Sequence, residues 1–264
     1  MATVQLTQEL RIEYRSLFNT CLIRAEKTQQ VEENIADSEQ HRNRYLAVGR
    51  SLRIPWYVIA VIHNMESSRN FTKHLHNGDP LAGRTVHDPK GRPDKGKPPF
   101  TWEQSATDAL QFQGLDHWND WSLPGILYKL EEYNGWGYRL HHPSVLSPYL
   151  WSGSTHYTRG KYTADGEWSE TTVSTQVGAA VLLHRMAEKE AFLLANPEAA
   201  VLRPEPPIRY SPNECSTYAE QLQLFLNGFP GIALKVDGYS GAKTSDACKQ
   251  ILGDYLYGDP RSKT

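Results

Sequence analysis

Cysteine is scarce in this chain: its 264 residues carry only Cys21, Cys215 and Cys248, with no CxxC spacing. So sparse and odd a set excludes a disulfide framework and a zinc site of the usual spacing. It predicts reduced thiols, with Cys215–Cys248 as the one pairing left open. Long apolar runs are also missing, since no stretch reaches the roughly 18 residues of a membrane span. The first twenty residues, MATVQLTQELRIEYRSLFNT, alternate charged and apolar side chains. They lack the basic head and apolar stretch of a conventional signal peptide. The expectation is a chain made in the cytoplasm, without a membrane span, that reaches any outside substrate after release or by non-classical export. A basic surplus is absent too: 28 Lys and Arg stand against 30 Asp and Glu, which argues against a nucleic-acid partner. HExxH, GxSxG and Gly-rich phosphate loops do not occur, so neither a metal nor a cofactor is expected.

What the chain does have is aromatic side chains, 14 Tyr and 7 Trp, more than a core needs and of the kind that packs on sugar faces. Leu10, Tyr14, Leu17, Phe18, Cys21 and Leu22 fall at helical spacing. A second, polar helix is expected over Val31–Leu52. RIPWYVIAVIHNMES follows, with Pro55 as a helix start and apolar residues nearly all round, so this helix should be central. Residues 70–100 are rich in Gly, Pro, Asp and His and carry the turn signals HNGDP and KGRPD. Two or three short strands with loops are expected there. Helical patterns resume at TWEQSATDAL and SLPGILYKLEEY, where Leu123, Ile126, Leu127, Leu130 and Tyr133 share a face. Residues 135–168 read as an aromatic loop, and 171–194 as one long helix. Five prolines between 196 and 212 mark a stiff linker. The resulting layout is N-terminal helices over 1–52, a main domain over 53–195, a linker over 196–213 and a small module over 214–264.

Glu66 closes the apolar helix. A carboxylate there is costly unless paired or used, and burial favours its acid form. A neutral carboxyl is what a general acid for a glycosidic oxygen needs; the plainer role is an ion pair with Arg69 or Lys73. Asp79 sits in a Gly-flanked turn thirteen residues on, and Thr85 six further. A turn carboxylate across a cleft from a helix-end glutamate is the layout of glycoside hydrolysis. Asp88 is the other candidate for that second carboxylate, and both fit ordinary Asx turns equally well. In EEYNGWGYR, Gly135 is a natural helix cap after Tyr133 and Asn134, and Trp136 and Tyr138 follow. His63, His74 and His76 lie near these carboxylates without metal-ligand spacing and read as hydrogen-bonded histidines. Ser67 and Ser68 read as polar helix-end groups.

VIAVIHNMESSRNF resembles the helix of lysozyme-like muramidases and lytic transglycosylases that ends in Glu-Ser followed by Asn and an aromatic. EYNGWGY is similar to the Tyr-Asn-Gly segment of goose-type lysozymes and transglycosylases. The Gly-Leu-Met-Gln stretch usual between these motifs is replaced by NGDPLAGRTVHDPKGRP. The order Glu, Asp, Thr is similar to the triad of phage-type lysozymes, with a longer first gap. The resemblance covers about residues 50–195. The tail, YAEQLQLFLNGF…LKVDGYSGAKTSDACKQIL, resembles the three-helix peptidoglycan-binding module, with its L-Q-x-x-L-N opening and V-D-G-x-x-G-x-x-T centre.

The resemblance implies a mainly α, α+β lysozyme-like catalytic domain with a small β subdomain, plus a C-terminal three-helix module. It implies a peptidoglycan hydrolase cleaving the β-1,4 bond between N-acetylmuramic acid and N-acetylglucosamine. Glu66 is then the general acid, Asp79 the water-positioning base and Thr85 its helper. Tyr133, Asn134, Trp136, Tyr138 and Trp151 are the expected sugar-binding residues. Lytic transglycosylase chemistry, a chitin or chitosan hydrolase and a non-catalytic wall-binding protein are the alternatives. The expected partner is bacterial peptidoglycan. An immunity or adaptor protein is a further candidate for the N-terminal helices, and phage endolysin, secreted antibacterial effector and host wall enzyme all fit as settings.

Overall fold

The apolar run after Pro55 forms a central helix in the computed structural model, which describes residues 4–164, 166–190 and 208–262. The chain divides into two compact units, Met1–Leu202 and Arg203–Thr264. The described residues contain eleven α-helices and one two-stranded sheet, a mainly α architecture.

In the larger unit the helices are α1 (Gln8–Asn19), α2 (Thr28–Gln40), α3 (Arg42–Leu52), α4 (Trp56–Ser67), α5 (Trp102–Phe112) and α6 (Leu123–Asn134), followed by α7 (Gly137–His141), α8 (Pro148–Trp151) and α9 (Ala179–Lys189). Every residue of α4 is buried except Glu66, which is partly exposed. A helix apolar all round must be covered on all sides, and α2, α3 and α9 pack against it. The N-terminal helices share this core: Leu10, Tyr14, Phe18, Val31, Ile35, Tyr45 and Val48 are buried in the same cluster as α4. α1 lies along α6, tied by the Tyr14 hydroxyl, which donates to Glu131 at 2.5 Å, and by Arg139, which bridges Glu131 and Glu13. Helices α1–α3 are thus part of the main fold's core.

Three sequence expectations change. The helix expected over Val31–Leu52 breaks at His41 into α2 and α3. Ser38 and His41 side chains bond back to the Asn34 and Asp37 carbonyls at 2.8 and 2.9 Å, competing with the helical ladder. After α3, Ile54 folds over Gly49, where a Cβ would sit 2.4 Å from the Ile54 carbonyl oxygen. Strands are absent from the described stretch 70–100, which makes only an isolated bridge, Lys73–Pro80. Prolines at 80, 89, 93, 98 and 99 cannot donate to a ladder. The sheet lies instead in the segment read as a loop: β1 (Lys161–Ala164) pairs antiparallel with β2 (Glu167–Ser169), Tyr162 opposite Trp168. The helix expected over 171–194 begins at Ala179, because 171–178 is irregular and bonded to other segments: the Thr172 carbonyl accepts from Gly160 N–H at 2.9 Å and Ser174 N–H donates to the Tyr157 hydroxyl. Residues 191–194 lie outside the described residues.

All three cysteines are free thiols. No single helix among the described residues is long and apolar enough to cross a membrane, and the apolar pair α3–α4 is bent by 113°.

The smaller unit contains two helices among its described residues, α10 (Thr217–Leu226) and α11 (Ala242–Leu252). Residues 208–213, expected to end the linker, are built into it: Arg209 bridges to Tyr257 and Ser211 to Ser240. The rest of the expected linker, 196–207, lies outside the described residues. Gln223 couples the two tail motifs. Its amide nitrogen donates to Asp237 Oδ1, the Tyr239 carbonyl and Thr244 Oγ1 at 3.0–3.2 Å, and its oxygen accepts from the Asp237 and Gly238 N–H groups at 2.9 and 3.0 Å. The side chain is 2% exposed, so Gln223→Leu strands buried partners that each cost about 1–3 kcal/mol. The expected outcome is loss of hydrogen-exchange protection in α10 and α11 with α4 unchanged. Retained protection in α10 and α11 would show that the motif residues do not hold this unit together.

Candidate active site

Helix α4 stops because Ser68 and Arg69 take left-handed backbone conformations, φ 51° and 63°. The Arg69 N–H closes on the His63 carbonyl at 3.1 Å. Its guanidinium bonds Asp37 at 3.0 Å and the Asn64 side-chain oxygen. Arg69 is therefore committed elsewhere, Lys73 is exposed, and no cation pairs with Glu66 among the described residues. Glu66 has a phenol instead: the Tyr149 hydroxyl donates to Oε1 at 2.9 Å. Desolvation pushes the Glu66 carboxyl up to about 7, and the Tyr149 bond only partly opposes this. Burial and the nearby Glu66 charge raise the Tyr149 and Tyr133 phenols well above their ordinary value, so both stay neutral hydroxyls. Such a carboxyl can hold a proton near neutral pH and deliver it.

A cleft of about 510 Å³ opens beside it. Its lining includes Met65, the residue before Glu66, and Tyr149, the residue bonded to it, while Glu66 itself lies behind them and outside the lining. Asn134, Tyr138, Lys161, Tyr162 and Gln176 form further parts of the wall. The wall is rigid for local reasons. Gln176 donates to the Met65 carbonyl at 2.9 Å, tying the segment before α9 to the end of α4. The Tyr138 hydroxyl accepts from Tyr162 N–H at 3.3 Å, and the two rings meet edge-on at 5.3 Å. Amide, phenol and aromatic groups around one neutral carboxyl make a site suited to a polyhydroxylated, amide-bearing substrate.

The expected residues fall into different places. Asn134 and Tyr138 line the cleft, and Tyr133 lies close enough to Glu66 to feel its charge. Trp136 and Trp151 do not face it: each is buried, Trp136 against Tyr128 at 5.0 Å and Trp151 against His156 at 5.3 Å. Both belong to the buried core cluster. Asp79 is buried in a loop that abuts α4, since a Cβ on Gly78 would lie 3.3 Å from the Glu66 carbonyl oxygen. Its Oδ2 accepts from the Val86 and His87 N–H groups at 2.8 and 3.0 Å, and its Oδ1 lies 2.6 Å from His87 Nδ1. Burial opposes ionisation, but these bonds outweigh it and hold the carboxyl at about 2. Thr85 staples the same loop, donating to the Pro89 carbonyl at 2.5 Å and accepting from Arg92 N–H at 2.8 Å. Asp88 is exposed. Tyr149, Lys161, Tyr162 and Gln176 were not singled out from sequence. Trp151 was the expected residue of its helix, and the one that touches Glu66 is Tyr149, two positions earlier.

His63, His74 and His76 are hydrogen-bonded within the fold. His63 is buried between Phe71 and Trp102, with Nδ1 3.0 Å from the Tyr45 hydroxyl, and burial pushes it down to about 3. His74 is held by Ser105 and the Gly83 carbonyl, both at 2.8 Å, and His76 by Asp108 at 2.8 Å. No group of three metal-ligating side chains occurs among the described residues. No protein-family model, curated protein or solved structure matches this chain.

Proposed function

We propose that this chain is a lysozyme-like peptidoglycan hydrolase, a muramidase cleaving the β-1,4 bond between N-acetylmuramic acid and N-acetylglucosamine. The observation that carries this reading is Glu66, raised to about 7 and held by Tyr149 beside an aromatic and amide-lined cleft. Glu66 donates its proton to the glycosidic oxygen as the bond from C1 breaks. Tyr149 fixes one carboxyl oxygen, and the other has no hydrogen-bond partner among the described residues. Asp79 supplies the contrasting carboxyl. Two carboxyls whose environments push their pKa values apart, here to about 7 and about 2, divide into acid and permanent anion. An ionised carboxylate offers about four acceptor sites; three on Asp79 are filled from its own loop. The remaining one orients water, which attacks C1 and passes its proton on to solvent. The smaller unit then serves as a wall-binding module, raising the local concentration of the enzyme on an insoluble polymer. The enzyme meets its substrate outside the cytoplasm after release.

One observation favours a second reading. Asp79 is engaged by three donors from its own loop, whereas Glu66 accepts from Tyr149 alone. If it takes no part, Glu66 acts twice, as acid and then as the base that accepts the proton of the muramyl C6 hydroxyl. That hydroxyl closes on C1 and leaves a 1,6-anhydro end, the product of a lytic transglycosylase.

Purified sacculi decide between them. The expected result is clearing by the parent chain, with reducing muramyl ends in the mass spectrum of released muropeptides and a loss of about 10²-fold or more in Asp79→Asn. Anhydro ends with Asp79→Asn still active give the transglycosylase. Binding to sacculi without release of any fragment overturns the enzyme reading and leaves a wall-binding protein.

A further inference from the structure

Among its described lining residues the cleft carries one cation. Lys161, the first residue of β1, lines it and is half-buried. No carboxylate pairs with it among the described residues, whereas Arg69 pairs with Asp37, Arg92 with Asp108, Lys129 with Glu132 and Arg139 with Glu131, and the half-buried Arg24, Lys27 and Arg84 are bonded to carbonyl oxygens. An ammonium left unpaired in a substrate cleft is set to meet charge that the substrate brings. Its mount is stiff. β1 is registered on β2 through Lys161–Ser169 and Tyr162–Trp168, and the Tyr162 ring is wedged against Trp168 and Tyr138 at 5.2 and 5.3 Å. A Cβ on Gly137 would lie 3.2 Å from that ring, so the hairpin packs closely on the start of α7. The described lining residues include no Asp or Glu. A neutral polysaccharide leaves the ammonium unanswered, and a polyamine such as chitosan is repelled by it.

We propose that Lys161 is the specificity-determining residue of the cleft, pairing its ammonium with a carboxylate carried on the muramyl residue of the glycan and so selecting anionic over neutral strands. This inference rests on the glycan-cleaving reading above. Two carboxylates have the required chemistry: the lactyl group itself when no peptide is attached, and the acidic groups of an attached peptide.

The test uses the full chain with Lys161→Met and Lys161→Arg on three substrates: intact peptidoglycan, glycan strands stripped of peptide by an amidase, and neutral N-acetylglucosamine oligomers. The expected result is a fall of about tenfold in kcat/KM for Lys161→Met on the anionic substrates, mostly in KM, with partial retention in Lys161→Arg. The parent's KM should also rise between 0.05 and 0.5 M salt on the order of severalfold, and that rise should be largely lost in Lys161→Met. An effect that persists on stripped strands assigns the lactyl carboxylate, and one confined to intact material assigns the peptide. Equal proportional losses on neutral oligomers, or an unchanged KM and salt response on peptidoglycan, overturn the proposal. If the neutral oligomers are not cut at all, the salt response decides alone. No cleavage of any substrate by the parent chain sinks the glycan reading itself; cleavage with Lys161→Met indistinguishable from the parent sinks only the role of Lys161.

Discussion

Glu66→Gln is expected to remove glycan cleavage and, at alkaline pH, to stabilise the protein. Loss of a positioned general acid costs about 10²–10⁴-fold in rate, so sacculi should stay turbid on the timescale of the parent reaction. Stability moves the other way. The folded-state pKa of Glu66 is raised from 4.5 to about 7, so between those values the folded state holds a proton that the unfolded chain releases. Stability contributed by this group is full below the unfolded pKa, falls as pH rises through that window, and is lowest above 7. Glutamine never ionises. The two proteins should therefore unfold alike near pH 4, while at pH 8 the variant should be more stable by on the order of 2 kcal/mol, allowing for the partial exposure of Glu66. Denaturant melts at both pH values check this. Equal stability at pH 8 would mean that Glu66 is not held in a desolvated setting, and the case for a neutral acid would fall with it. A carboxylate kept for folding would give the opposite sign, because its removal would cost stability.

The second large effect is structural and lies outside the cleft lining. Gly178 caps α9 with an extended backbone, φ −71° and ψ 154°, so its conformation suits any residue. Its space does not. A Cβ there would lie 2.3 Å from the Leu150 carbonyl oxygen, 2.4 Å from its carbon and 2.7 Å from Trp151 N. Those atoms are backbone and cannot swing away. Gly178 N–H also donates to the Ser152 carbonyl at 2.8 Å, locking α9 onto α8. Gly178→Ala must part these helices, at a cost of about 3 kcal/mol or more. A unit of this size should lose roughly 6–12 °C in Tm. Helix α8 carries Tyr149, so the same displacement should lengthen the Tyr149–Glu66 bond and lower activity per folded molecule. A melting temperature within a degree of the parent would show that the α8–α9 joint is not as tight as this packing requires.

The site was legible to the degree that its signal was local. Glu66 stood out because one charged residue ended a run in which every neighbour belonged in a core, and α4 buries each of those neighbours. Asn134 and Tyr138 were legible through the helix cap at Gly135. Tyr149, Lys161 and Gln176 were not, because their roles depend on which distant segments face α4. Tyr149 is 83 residues from Glu66. Gln176 reaches Met65 across 111 residues. Aromatic residues misled for a related reason: composition offered Trp136 and Trp151 for a sugar cleft, but a large ring fills a core equally well, and burial in the fold decides which it does.

By itself the sequence determined a mainly helical chain, the central position of α4 and the unusual placement of Glu66 at its end. Those are consequences of periodicity, capping and composition, which act over a few residues. Tertiary structure alone decided that strands form at 161–164 and 167–169 rather than in the proline-rich stretch 70–100, that 171–178 is irregular, and that Gly178 is a joint rather than a helix interior. It also decided that Asp79 is bound up in its own loop while a tyrosine holds Glu66. The physical reason is that desolvation, hydrogen-bond partners and close backbone approach belong to the space around a residue, and segments far apart in the chain build that space.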